Sequence, residues 1–106
     1  MARYRMFIDD LRITDNDLCE FVIVRSSKEA IDYIKQYGMP SFISFDHDLG
    51  GEDTAMKLVD FIVDGLLDDE LKMEADFDFK IHSANPIGAA NIDAKMRNII
   101  KFMRNK

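Results

Sequence analysis

Three places in this chain set chemically able side chains directly after an apolar run. YRMFIDD ends in Asp9 and Asp10, FISFDHDLGG in Asp46, His47 and Asp48, and FDFKIHSANP in His82 and Ser83. His47 and His82 are the only two histidines, and both fall at these junctions. Four carboxylates brought together repel one another unless a cation sits between them. Oxygen ligands favour Mg²⁺, with Mn²⁺ as its nearest substitute, over zinc. Imidazole titrates near neutral pH, so His47 and His82 suit a general base and acid acting at a phosphate. Gly50 and Gly51 permit backbone conformations that turn successive N–H groups toward an anion. Asn85-Pro86 reads as a helix start, which puts free N–H groups and a positive dipole end just past Ser83.

Singly, each feature has an ordinary explanation. An Asp pair after a strand is usually a turn, a histidine beside a carboxylate is usually a structural hydrogen bond, and Gly-Gly usually marks a loop. Their weight comes from convergence, which depends on the elements that carry them.

Four short apolar segments have strand character: Tyr4–Ile8, Phe21–Arg25, Phe42–Phe45 and Phe77–Ile81. Phe21-Val22-Ile23-Val24 and Phe42-Ile43-Ser44-Phe45 are nearly unbroken, as in parallel strands covered on both faces. Helical patterns follow the last three. Ser26 and Glu29 make a capping box ahead of Ala30, Ile31 and Ile34, and Gly38 and Pro40 close that helix. A second helix is expected from near Asp53, with Ala55, Leu58, Val59, Ile62 and Leu66 on one face. A third is expected from Asn85-Pro86, with Ile92, Met96, Ile99, Ile100 and Met103 as its stripe. Strands alternating with helices imply right-handed crossovers and a mainly parallel sheet. In such a sheet ligands bind outside the carboxyl ends of the strands, where all three junctions fall.

The composition narrows the classes. A chain of 106 residues with 47% hydrophobic and 32% charged residues is expected to form one domain, residues 1–106, with its own core. The single cysteine, Cys19, excludes a disulfide framework or a multi-cysteine zinc site. No apolar run approaches a membrane span, and no signal-peptide pattern opens the chain, so a cytoplasmic protein without a membrane partner is expected. The net charge of −6 argues against a double-stranded DNA partner. Charge is unevenly spread. Residues 52–78 carry ten acids against two lysines, whereas residues 95–106 carry Lys95, Arg97, Lys101, Arg104 and Lys106 with no acid.

Asp9-Asp10, Asp46 and Ser83-Ala84 after successive strands resemble the response-regulator receiver domain. The longer strings IDDLR, FDHDLGG and HSANPIGAANI resemble more closely a divergent branch of bacterial and phage proteins, the cyclic-phosphate processing receiver domain. The resemblance spans essentially the whole chain. It implies a small flavodoxin-like α/β fold with helices on both faces, from which this sequence departs in showing about four strands and lacking most of the first helix and the fifth strand. It also implies that Asp9, Asp10, Asp46, His47, Asp48, His82 and Ser83 carry the chemistry, with Arg12 in reach of phosphate. Together with the residues' own pattern this gives Mg²⁺ at Asp9, Asp10, Asp46 and Asp48, catalytic roles for Asp46, His47 and His82, and ligand contacts from Arg12, Gly50, Gly51, Ser83 and Asn85. The lysine that receivers carry after their fifth strand has no counterpart here.

Metal-assisted processing of a cyclic phosphate on a nucleotide or RNA end, as by a phosphodiesterase, is therefore the leading expectation. A second is non-catalytic sequestration of a cyclic nucleotide signal, suited to phage counter-defence. A third is a degenerate receiver working through protein contacts. The Met- and Phe-rich helices are compatible with a homo-oligomer.

Overall fold

The computed structural model describes residues 4–9, 21–50, 52–83 and 85–105. Strands β1 (Arg5–Ile8) and β2 (Phe21–Val24) come first, and helix α1 (Ser27–Tyr37), strand β3 (Phe42–Phe45), helix α2 (Met56–Leu67), strand β4 (Asp78–Ile81) and helix α3 (Pro86–Arg104) follow in that order. The sheet is all-parallel with the order β2-β1-β3-β4. Among the described residues there is no fifth strand, and no helix is long and apolar enough to cross a membrane.

The period of two along each strand divides the sheet into unlike faces. Met6, Ile8, Val22, Val24, Ile43, Phe45, Phe79 and Ile81 belong to the apolar core with Ala30 and Ile34 of α1, Leu58, Val59, Ile62 and Leu66 of α2, and Ile92, Met96, Ile99 and Ile100 of α3. Burying each large aliphatic side chain contributes about 1.5–3 kcal/mol, so this layer carries most of the drive to fold. The steps from β2 to β3 and from β3 to β4 run the same way across the sheet. Right-handed crossovers therefore set α1 and α2 on one face, and α3 packs beside α2. The sequence led us to expect helices on both faces; the three described helices gather on this one, and residues 10–20 lie outside the described residues. The other face carries an aromatic row, with Phe7 edge-on to Phe21, Phe21 edge-on to Phe42, and the Arg5 guanidinium 4.6 Å from the Phe21 ring centre.

Local signals explain the helix boundaries, with two refinements. Ser26 accepts the Glu29 N–H at 3.1 Å as expected, but the Glu29 carboxylate reaches past Ser26 to the Arg25 N–H at 3.2 Å. The second refinement concerns Asp53. Its Oδ2 accepts the Ser27 N–H at 2.9 Å and its Oδ1 accepts the Ser27 hydroxyl, so it caps α1. Helix α2 accordingly starts three residues later than Asp53, at Met56. Burial by itself would raise the Asp53 carboxyl pKa, but the Ser27 hydrogen bonds and nearby Lys57 outweigh it and hold the value below normal. Asn85 caps α3 by accepting the Gly88 N–H at 3.0 Å, with Pro86 in the first turn.

A candidate metal and phosphate site at the carboxyl edge of the sheet

Strand register brings the first site residues together. Ile8 pairs with Val24 on one side and with Phe45 on the other, and Phe45 pairs with Ile81. The ladder runs one residue further: Asp9 N donates to Val24 O at 3.2 Å, Asp46 N to Ile8 O at 2.9 Å, and His82 N to Phe45 O at 2.8 Å. Arg25, Asp9, Asp46 and His82 therefore stand in a row across four neighbouring strand ends. Because β1 leads to β2 on one side while β3 lies on the other, the row crosses the point where the strand order reverses. That is where doubly wound sheets open a crevice for ligands.

Asp9, Asp46 and His82 each present a ligand atom within 4.8 Å of the other two. Asp9 is only 2% exposed, so its carboxylate is expensive to hold without partners. His82 Nε2 lies 3.0 Å from Asp9 Oδ2, and the Arg25 Nη1 group donates to the Asp9 carbonyl at 3.1 Å. On its other side His82 Nδ1 lies 2.8 Å from Ser44 Oγ. An ionised carboxylate can only accept, so Nε2 carries a proton; in the neutral ring Nδ1 then accepts from the Ser44 hydroxyl. The Phe7 ring lies parallel to the His82 ring, 4.8 Å between centres. Hydrogen bonds at both nitrogens and a stacked face fix this imidazole.

His47 stands apart from the cluster. Its Nδ1 lies 2.8 Å from Asp48 Oδ1, which leaves Nε2 as the acceptor in the neutral ring. The ring rests on the first turn of α3, where a Cβ on Gly88 would overlap it. Only glycine permits so close an approach. The backbone around His47 is held by Ala55 N donating to the His47 carbonyl at 2.8 Å and by a bridge between Asp48 and Thr54. Gly50 has φ 91°, a left-handed conformation that suits glycine, in the turn where Asp53 N donates to Gly50 O at 3.0 Å. Ser83 Oγ accepts the Asn85 N–H at 3.1 Å at the mouth of α3.

Of the residues singled out in the sequence, Asp9, Asp46 and His82 converge. Asp48 faces His47, while Ser83 and Asn85 shape the α3 entrance. Asp10, Arg12 and Gly51 lie outside the described residues. Sequence reasoning passed over Phe7, Ser44 and Arg25. A signal for each was present. Phe7 and Ser44 stand two residues before Asp9 and Asp46 and so share their face, and Arg25 ends the FVIV run as Asp46 ends FISF.

The family model for the Cyclic-phosphate processing Receiver domain matches residues 4–98, most of the chain. The chain belongs to this family. No curated protein and no solved structure matches it. Membership in the Cyclic-phosphate processing Receiver domain family agrees with the all-parallel sheet and gives the domain a role in cyclic-phosphate processing. Its match covers every strand and all but the last turns of α3.

Proposed function

We propose that this domain binds a cyclic phosphate on a nucleotide or RNA end at the carboxyl edge of its sheet and opens it hydrolytically with a divalent cation. The supporting observation is the cluster of Asp9, Asp46 and His82 at the reversal of strand order. Two carboxylates and one imidazole make a mixed oxygen and nitrogen donor set, in place of the oxygen-only set expected from the sequence. The two carboxylates of this set fit Mg²⁺ or Mn²⁺. Asp9 and Asp46, with His82 beside them, would hold the cation, and Asp10 is a further candidate from the sequence. When bound, the cation would neutralise charge on the phosphate oxygens.

The chain's own residues divide the remaining work. Both ring nitrogens of His82 are engaged, so His82 holds Asp9 in place. His47, with Nδ1 committed to Asp48, takes the proton of the attacking water at Nε2. Water adds to phosphorus, one ribose P–O bond breaks, and the released alkoxide takes a proton from solvent. Ser83 and the α3 entrance hold a non-bridging oxygen, and Arg25 adds positive charge at the far end of the row.

Incubation with 2′,3′-cyclic nucleotides, with Mg²⁺ or Mn²⁺ and with chelator, tests this reading. Metal-dependent appearance of the monoester, lost in Asp46→Ala and His47→Ala, is expected. No turnover of any cyclic phosphate sinks it. Tight binding with ligand recovered intact makes the domain a binding module. A phosphoryl adduct on Asp46 after acetyl phosphate treatment makes it a receiver acting by phosphorylation.

A further inference from the structure

We propose that the cavity between α3 and β4 binds backbone phosphates of a single-stranded RNA whose cyclic end lies at the carboxyl edge of the sheet. This rests on the reading given above and makes a strand, in place of a free cyclic nucleotide, the ligand. The cavity encloses about 430 Å³. Three cations line it, Arg97, Lys101 and Arg104, against one carboxylate, Asp78. They are spaced by four and then three residues, so they form one stripe of α3. A helix C-terminus favours cations in its last turn, which accounts for Lys101 and Arg104. It does not account for Arg97, about two turns before Arg104, or for all three meeting in one cavity.

The three cations keep their charge available. Lys101 has no ion-pair or hydrogen-bond partner for its side chain among the described residues. Arg104 donates through Nη2 to the Ala75 and Phe77 carbonyls at 3.3 and 3.1 Å, neutral groups that anchor it and leave its charge uncancelled. Arg97 Nε donates to Asp93 at 2.7 Å, but the two side chains are 72% and 43% exposed. So wet a pair contributes little and exchanges readily for a phosphate. A peptide added to the edge of β4 fits less well. Arg104 covers the Phe77 carbonyl and Asp78 Oδ1 accepts the Phe79 N–H at 2.8 Å, so an added strand would displace both.

Helix α3 links the cavity to the carboxyl edge. Its first turn seats the His47 ring at Gly88, and Lys101 lies about 20 Å further along the helix. An RNA held by its terminal phosphate and laid along the flank of α3 and β4 reaches the cavity with its preceding phosphates. The chain's net charge of −6 disfavours nucleic acid elsewhere on the surface, which confines the strand to this basic flank.

Fluorescence anisotropy of the full chain with a labelled single-stranded oligoribonucleotide ending in a 3′-hydroxyl tests the proposal. The probe carries no cyclic phosphate, so its failure is distinguishable from failure of the turnover assay. Arg97→Gln and Lys101→Gln alter exposed side chains, and circular dichroism checks that α3 is intact. Each is expected to weaken binding about tenfold, the scale of a lost hydrogen bond to a charged group. Each should also lower the slope of log K against log salt by about 0.7, whereas Lys101→Arg should keep both affinity and slope. An oligonucleotide that does not bind even at low salt overturns the proposal and leaves the cavity to an acidic protein segment. One that binds both Gln variants like the wild type overturns it equally. A mononucleotide or inorganic phosphate that binds as tightly as the oligonucleotide overturns the strand as ligand and leaves a site for one free phosphate.

Discussion

His82 Nε2 lies 3.0 Å from Asp9 Oδ2, although β3 runs between the strands that carry them and 73 residues separate them in sequence. Asp46, at the end of β3 between them, presents a carboxylate oxygen within 4.8 Å of a ligand atom of each. Whatever occupies this edge must therefore meet the pair and Asp46 together. Asp9→Asn keeps the shape but removes the charge. It should lower Mn²⁺ affinity at least about tenfold, by analogy with losing a partner in a metal site. Calorimetric titration reads this directly, and unchanged affinity would remove Asp9 from the cation site.

Ser44 acts through His82. Ser44→Ala leaves His82 Nδ1 without its hydroxyl partner in a buried setting. A stability loss of about 1 kcal/mol is expected for the missing hydrogen bond, and a fall of about ten- to a hundredfold in Mn²⁺ affinity if the ring loses its orientation. Ser44→Thr, which restores the hydroxyl, should recover the affinity more fully than the stability. If Ser44→Ala alters stability alone, the hydroxyl supports the fold and not the cation.

Gly88 fixes where His47 can sit. In the middle of a helix turn Gly→Ala ordinarily stabilises by about 0.5–1 kcal/mol. Here the new methyl would overlap the His47 ring, so Gly88→Ala should instead displace the imidazole. Turnover of a cyclic nucleotide should fall by about the 10²–10⁴ of a misplaced general base. Far-ultraviolet circular dichroism should show α3 intact. Turnover at the wild-type level would separate His47 from the chemistry.

Asp53 makes stability depend on acid pH. Its folded pKa lies below the ordinary value of 3.8, so its contribution is fully present above the unfolded pKa and is lost as pH falls through the folded one. Asp53→Asn should cost about 1 kcal/mol near neutral pH, the scale of a helix cap. The gap between variant and wild type should then narrow as pH falls below about 3.8 toward the lower folded pKa, beneath which both side chains are uncharged. Urea unfolding at neutral and acidic pH measures it; a gap that widens on acidification contradicts the assignment.

The strand and helix segments were legible because their signals are local. FVIV and FISF read as buried parallel strands, and Ser26 and Asn85 read as caps, since an N-cap needs only the residues of its own first turn. The start of α2 was misplaced for the opposite reason. Asp53 looks like a cap for the helix that follows it, but its carboxylate crosses to Ser27, a partner 26 residues earlier, through packing of α2 on α1.

The site divides in the same way. Asp9, Asp46 and His82 announce themselves as polar residues ending apolar runs, and the sequence alone determines that each stands at a carboxyl end. Their meeting in one cluster was decided by the order β2-β1-β3-β4 and its register, which local pattern cannot specify because any strand could have been the neighbour of any other. The surroundings of the two histidines were decided at the same level. In sequence both sit after a strand and look alike. In the fold His82 is clasped by Asp9 and Ser44 under Phe7, while His47 keeps one nitrogen clear of Asp48 and rests on Gly88. Side-chain chemistry is a property of residue type, but which atoms are engaged depends on neighbours brought from elsewhere in the chain.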